Sequence, residues 1–307
     1  MIPILLIVAV LIFLIMSFVP GDPVQIILGD QATELQIEEA RENLGLNKPF
    51  AERLWDYLIG VVHLDFGKSY LLGTNVSSEL LTRFPRTLLI ALLCIIFTVI
   101  FGIPIGIRCA LKAGTAEDNA WLFFTLLLSS MPGFWLALML VLLFSVKLGW
   151  LPSNGIGGWK YYVLPVLSNS LGSLAGIARQ TRASMLEVIR SDFVVTARSK
   201  GVSEKDVTWK HALPNAMIPI ITILGARFGF LLGGTTITES VFSIPGIGLY
   251  MINGINNRDY PIVQGCVVYI AFSFSVMMLI TDLVYAFVDP RIKAQYAGPA
   301  KAKKKEA

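Results

Sequence analysis

The sequence predicts an all-α polytopic membrane protein, and three observations carry that reading. Hydrophobic residues make up 55% of the 307 and charged residues only 15%, whereas a soluble domain carries about 25% charged residues. Several apolar runs approach or exceed the roughly 18 residues that mark a membrane span. The polar residues gather between those runs, and the one long polar stretch of the second half, 179–214, has apolar runs on both sides.

Taken in order, residues 1–19 form a first span. It lacks a basic leading segment and a small-x-small cleavage site, so no signal peptide is expected. Pro20-Gly21-Asp22-Pro23 ends it. A polar segment follows to about 86, with ten acidic residues counting Asp22 and six basic ones. Within it, 34–43 and 50–62 read as helices, separated by a break at Leu46-Asn47-Lys48-Pro49. Further spans are expected at 87–107, 119–146, 164–178, 216–234 and 264–288, making six. Gly102, Pro104 and Gly106 predict a kink or close helix contacts, and Pro132-Gly133 predicts a kink in the third span. The fourth span is short unless its helix runs on into the polar stretch. Trp150, Trp159, Tyr161 and Tyr162 in the loop 147–163 suit an interfacial belt, and 235–263 reads as a loop.

Lys and Arg give the orientation. The loop after the second span, the stretch 179–214 and the tail carry 2, 7 and 6 of them, 15 of the 25. The positive-inside rule puts these three segments in the cytoplasm. With six spans the N-terminus is cytoplasmic too, and 20–86 faces outward. The domain reading is a first helix (1–19), an external segment (20–86), a membrane core (87–290) and a basic cytoplasmic tail (291–307).

Little points to chemistry. Gly67-Lys68-Ser69 looks like the end of a phosphate-binding loop, but Val62 stands where that motif needs its first Gly. No nucleophilic triad and no zinc or calcium spacing appears, so no catalytic residue and no metal site is expected. Cys94, Cys109 and Cys266 lie in or at the end of apolar runs and predict no disulfide. His63 and His211 are too far apart in sequence to suggest a ligand pair.

Inside the stretch 179–214, Leu186, Ile189, Phe193 and Ala197 recur at helical steps. Gly201 then breaks the helix. Ser203 is placed to cap a second short helix, with Asp206 completing a weak capping box, and Leu213-Pro214 ends that helix. Period and charge leave two readings open: packing against the membrane domain or lipid surface, which is the commoner use of such faces, and docking of a soluble partner. Arg227 and Asp282 fall within apolar runs, where a charge marks either a functional position or an internal pair. A polar path is also expected to use small and hydroxyl side chains, here Ser129, Ser130, Thr235 and Thr236 with nearby glycines.

The run DFVVTARSKGVSEKDVTWKHALPNAMIPIIT resembles the EAA loop of ABC importer permeases, with Ala197, Gly201, Leu213 and Pro214 at motif positions. Val195, Thr196 and His211 depart from the general pattern and look like the dipeptide/oligopeptide/nickel branch. SFVPGDP (17–23), LGLNKPF (44–50), LDFGKS (64–69), TESVFSIPGIG (238–248), NRDYPIVQG (257–265) and FVDPRI (287–292) support that branch. The chain resembles the first of its two paralogous permeases, although members usually begin with a short basic segment and this chain begins Met-Ile-Pro.

The resemblance implies a type I importer fold with six membrane helices and a cytoplasmic coupling helix in the inner membrane of a bacterial or archaeal cell. It implies that Ser191, Asp192, Thr196, Arg198, Lys200 and Glu204 make polar contacts with an ATPase subunit, that Phe193 and Val194 make buried ones, and that Gly201 supplies the turn. The implied partners are a paralogous permease, two ATP-binding subunits, an external solute-binding protein and the lipid bilayer, with no nucleic acid. ATP and magnesium bind the ATPase, and this chain holds no cofactor. The branch handles dipeptides, longer peptides, nickel or its chelates, glutathione and opine-type metallophores. A secondary transporter or channel should show inverted repeats or paired intramembrane charges, and a receptor or scaffold would use the cytoplasmic helices for signalling.

Overall fold

The computed structural model describes residues 2–19, 22–29 and 32–288. Pro20-Gly21, Pro290 and the basic tail 291–307 lie outside them. The first helix, α1, is Ile2–Phe18, apolar but only 17 residues long. The polar segment then holds three short helices. One was not foreseen: α2, Pro23–Leu28, begins where the Asp22 carboxylate accepts from Val24 N (3.0 Å) and Pro occupies the first turn. Helices α3, Glu34–Asn43, and α4, Phe50–Val62, have the expected bounds. A capping box starts α3: Gln36 N donates to the Thr33 hydroxyl, and Thr33 N donates to Gln36 Oε1.

The long helices differ more from expectation. Helix α5 runs from Val76 to Leu111, 36 residues, so the second span begins well before residue 87. Helices α6, Ala116–Ser130, and α7, Gly133–Leu140, meet at Pro132 with a bend of 98° when α7 is taken with the π-helical segment Val141–Lys147 that continues it. The expected kink is therefore a break. Pro132 lacks the N–H that would continue the ladder, and the residue before it is pushed to extended geometry; Met131 has φ −83° and ψ 129°.

Helix α8, Lys160–Ile189, does run on into the polar stretch. Arg190 and Ser191 interrupt it before α9, Asp192–Ser199, so Leu186 and Ile189 do not share a helix with Phe193 and Ala197. Helix α10, Glu204–Asp206, continues as the π-helical segment Val207–Ala212 into α11, Leu213–Gly234. Leu213-Pro214 thus ends nothing: Pro214 lies inside one helical run from Glu204 to Gly234, where its missing N–H takes one bond out of the ladder. The expected loop 235–263 holds α12, Thr236–Val241, and α13, Ile247–Asn256, and α14 spans Tyr260–Val288. Among the described residues three helices are long and apolar enough to cross a membrane, or four if the bent pair is one span.

The chain forms two compact units. The first comprises Met1–Cys94, Pro132–Asn169 and Phe230–Ser275. In its core, Ala9, Ile12 and Met16 of α1 join Leu80 of α5, Tyr250 of α13 and Cys266 of α14. The second comprises Ile95–Met131, Ser170–Gly229 and Val276–Ala307. Here Ile103 and Ile107 of α5, Met185 of α8 and Ile220 of α11 pack with Val194 and Ala197 of α9 and with Val207 and Ala212.

Close packing in this second unit settles the role of the α5 glycines. A Cβ at Gly102 would stand 3.3 Å from Leu174 O and Ile177 Cγ2. At Gly106 it would stand 2.5 Å from Ala178 O and Thr181 Cβ. A backbone oxygen has little room to retreat, so Gly106 is what lets α5 and α8 touch. Gly106→Ala is expected to cost about 1–3 kcal/mol by overpacking. Denaturation of the solubilised complex would show it as a lower midpoint, and an unchanged midpoint would refute the contact.

Candidate functional site

The helices of 190–214 present two faces. Val194 and Ala197 of α9 are buried, Val194 completely, as are Val207 and Ala212. Phe193 is 46%, Val195 50% and Trp209 52% exposed. Asp192, Thr196, Lys200, Gly201 and Glu204 are exposed as well. The resemblance placed Phe193 and Val194 together in a buried contact with a partner. The structure separates them, because neighbours on a helix point about 100° apart: Val194 belongs to the chain's own core, and Phe193 faces out. Val195 and Trp209, which motif reading passed over, join Phe193 as the large exposed apolar side chains of this segment. Their signal in the sequence was an apolar residue standing beside a buried position.

The turn is held by backbone and by charge. Gly201 has φ +82° and donates its N–H to Arg198 O (2.9 Å). The Arg198 guanidinium donates to both Glu204 oxygens, at 2.8 and 3.2 Å, across that turn. These two residues, expected to reach a partner, are paired with each other here. Ser203 caps α10 by accepting from Asp206 N (3.2 Å), while its hydroxyl donates to Asp206 Oδ2 (3.0 Å). Ser191 precedes α9 without a side-chain cap, its hydroxyl donating instead to Val188 O (2.6 Å). Leu213 is half-buried against the same core, and Pro214 is exposed.

A second polar anchor went unread in the sequence. Asp118, 1% exposed, accepts from Arg182 Nε and NH2, both at 2.7 Å, and from Gly114 N at 2.9 Å. This bidentate pair ties the start of α6 to α8. Arg179 of α8 also donates to the Ser129 hydroxyl (3.0 Å), which itself donates to Thr125 O.

The residues expected along a path are dispersed. Ser129 and Ser130 are exposed in the second unit, where the Ser130 hydroxyl donates to Leu126 O. Arg227 is exposed in the same unit, and among the described residues it has no ion pair; one guanidinium nitrogen lies 3.8 Å from where a Gly176 Cβ would be. Thr236 belongs to the first unit and donates to Gly233 O. Thr235, also there, is fully buried, which corrects its expected place beside a solute.

Residues 102–294 match the family described as binding-protein-dependent transport system inner membrane component, and residues 1–91 match its N-terminal component. The chain belongs to this family. It is 40% identical over 293 residues to the glutathione transport system permease protein GsiC of Salmonella typhimurium (strain LT2), covering 95% of this chain and 96% of the relative. The GsiC of Escherichia coli (strain K12) matches to the same extent. An inward-facing structure of the MetNI methionine ABC transporter matches the fold with a TM-score of 0.58 and 18% identity, over 68% of this chain and 96% of that one. The chain is thus an ABC importer permease, a transport subunit with an all-α, polytopic type I fold.

The permease's family stretch 238–248 has a physical reason in the structure. Glu239 is fully buried. Its Oε1 accepts from the Thr87 and Thr235 hydroxyls (2.6 and 3.2 Å), and its Oε2 from Leu249 N (3.0 Å). The Thr87 oxygen meanwhile accepts from Ile247 N (3.0 Å), so its own proton goes to Glu239. Burial pushes the Glu239 carboxyl above the usual range, against these donors, which favour the charged form. Gly246 completes the turn, since a Cβ there would lie 2.4 Å from Glu239 Cδ. Glu239→Gln sets an amide N–H₂ against donors at one of the two oxygens. The expected cost is about 1–3 kcal/mol, read as a lower unfolding midpoint for the complex, and a midpoint equal to wild type would contradict the arrangement.

Proposed function

We propose that the permease forms half of the path of an ATP-driven importer for peptide-like solutes. In this reading its α9–α10 segment docks on an ATPase subunit, which binds ATP and magnesium. The observation that carries the proposal is the two-faced α9: Val194 and Ala197 sit in the core with the ends of the long helices, while Phe193 and Val195 are bare. A docking helix needs this pairing, one face to receive motion and one to pass it on. Gly201 supplies the turn, and Ser191, Asp192, Thr196 and Lys200 form the polar rim. Arg198 and Glu204 exchange their mutual pair for contacts with the partner, at little cost because exposed pairs contribute about 0.2–1 kcal/mol.

The other half of the path is a paralogous permease, with two ATPase subunits and an external solute-binding protein. The six-span reading places both termini in the cytoplasm and 20–86 outside, where the binding protein docks. Arg227 faces the path together with Ser129, Ser130 and Thr236. An exposed Arg on an apolar helix is tolerable beside water or another chain and costly beside lipid. The solute class rests on the 40% identical relatives named for glutathione, a tripeptide.

A deletion strain tests the solute and the coupling together. Uptake of labelled glutathione and dipeptides is expected to fall and to return with the wild-type gene, while nickel uptake stays unchanged. Gly201→Trp is expected not to restore uptake: a bulky residue at positive φ strains the turn and obstructs the docking face. Selective loss of nickel uptake would overturn the solute class, and full uptake with Gly201→Trp would overturn the docking role.

A further inference from the structure

Within the first unit, a cavity of about 210 Å³ lies beside α4, with Phe13, Arg53, Tyr70, Tyr260 and Gln264 on its wall. A second cavity of about 340 Å³ shares Leu46, Arg53 and Tyr260 with it. Arg53 is half-buried and lines both. Its guanidinium lies over the Phe13 ring, 5.9 Å from the centroid. Tyr70 and Tyr260 stand with their ring centroids 6.1 Å apart. Burial pushes the Tyr70 hydroxyl up to about 12, and the Arg53 charge acts against that shift, so the guanidinium is within electrostatic reach of this hydroxyl.

The charges on these walls differ in what they have left to give. Arg41 donates to Asp22 (3.0 Å), and Lys48 is paired with Asp56 (2.8 Å) and Glu52 (3.0 Å). Among the described residues Arg53 has neither an ion pair nor a hydrogen bond. The Tyr70 and Tyr260 hydroxyls and the Gln264 amide have no hydrogen bond there either, and none of the three is sealed off as the Tyr57 hydroxyl is. Tyr260 is only 8% and Gln264 9% exposed, and the cavity is the open space beside them. Four donors without acceptors around one cavity call for an acceptor, and the unpaired guanidinium calls for a negative one. A carboxylate fits: it only accepts, its two oxygens take about four bonds, and a guanidinium fork meets it bidentately. The two cavities leave room beyond the carboxylate for the body of a small molecule.

We infer that Arg53, with the Tyr70, Tyr260 and Gln264 side chains, binds the carboxylate of a small solute. The inference rests on the proposed outward position of 20–86, since only there does an incoming solute meet α4.

Thermal unfolding of the purified transporter at constant ionic strength tests the site with Nα-acetylglycine, which carries a carboxylate, and with its neutral counterpart Nα-acetylglycinamide. The first is expected to raise the midpoint by a few degrees over sodium chloride, and the second to leave it unchanged. The shift should vanish in Arg53→Gln and shrink in Tyr70→Phe. No shift with acetylglycine, an equal shift with the amide, or the full shift in Arg53→Gln overturns the site. An equal, Arg53-dependent shift from inorganic phosphate overturns the assignment to a carboxylate. If Arg53→Gln does not assemble, Tyr70→Phe decides, and an undiminished shift there refutes the proposal. The readout is binding rather than uptake, so peptide uptake by wild type without any shift overturns this site alone and leaves the importer reading standing.

Discussion

The docking role proposed for α9 depends on one packing constraint: the short helices after α8 are buried against the long ones. Val194, Ala197, Val207 and Ala212 are buried with Ile103, Ile107, Met185 and Ile220. A helix as short as α9 is not stable alone in water, so this burial is what makes it a helix and what makes it rigid. Three features keep it there. The Arg198–Glu204 pair spans the turn, Ser203 caps α10, and the π-helical Val207–Ala212 joins α10 to α11 without a loop. The Asp118–Arg182 pair, with Asp118 buried and Arg182 partly exposed, does the same work for the start of α6.

The first unit solves a different problem, that of returning the chain through a buried turn. Four donors from three places converge on Glu239 and Thr87, and Gly246 is small enough to let them. Asp259 acts in a comparable way farther along the chain, accepting from the Ser69 hydroxyl and Leu71 N. Both carboxylates fall in stretches that carried the family resemblance, 238–248 and 257–265. A physical reading of those stretches as loop missed them, because the burial that gives each carboxylate its meaning is created by residues up to 190 positions away.

What the sequence revealed follows from the range of the forces involved. Helices α3 and α4 were legible to the residue, since caps, Pro49 and helical period are local signals. Each of the six expected runs falls on helix, since length and hydropathy are local too, although among the described residues three helices, or four with the bent pair, are long and apolar enough to cross a membrane. The 98° break at Pro132 was seen as a kink, its position right and its size not, since proline chemistry locates a break while packing sets its angle. Helices α12 and α13 were lost among Thr, Ser, Gly and Pro, where a short helix is stabilised by tertiary burial against its own propensity. In the candidate site the turn at Gly201 was plain from the sequence. Helical spacing carried through the interruption at Arg190 and Ser191 put Phe193 on the inner face of α9, where the structure has Val194. Asp118–Arg182, 64 residues apart, left no local trace at all.

The most direct test is to loosen the buried face of α9 while leaving its exposed face intact. Val194→Ala opens a cavity in the core beneath α9, and ATP hydrolysed per solute imported is then measured in proteoliposomes holding the complete transporter. Hydrolysis is expected to persist while uptake falls, so the ratio rises several-fold. An unchanged ratio, with the core demonstrably loosened by a lower unfolding midpoint, would contradict the claim that packing beneath α9 carries the coupling.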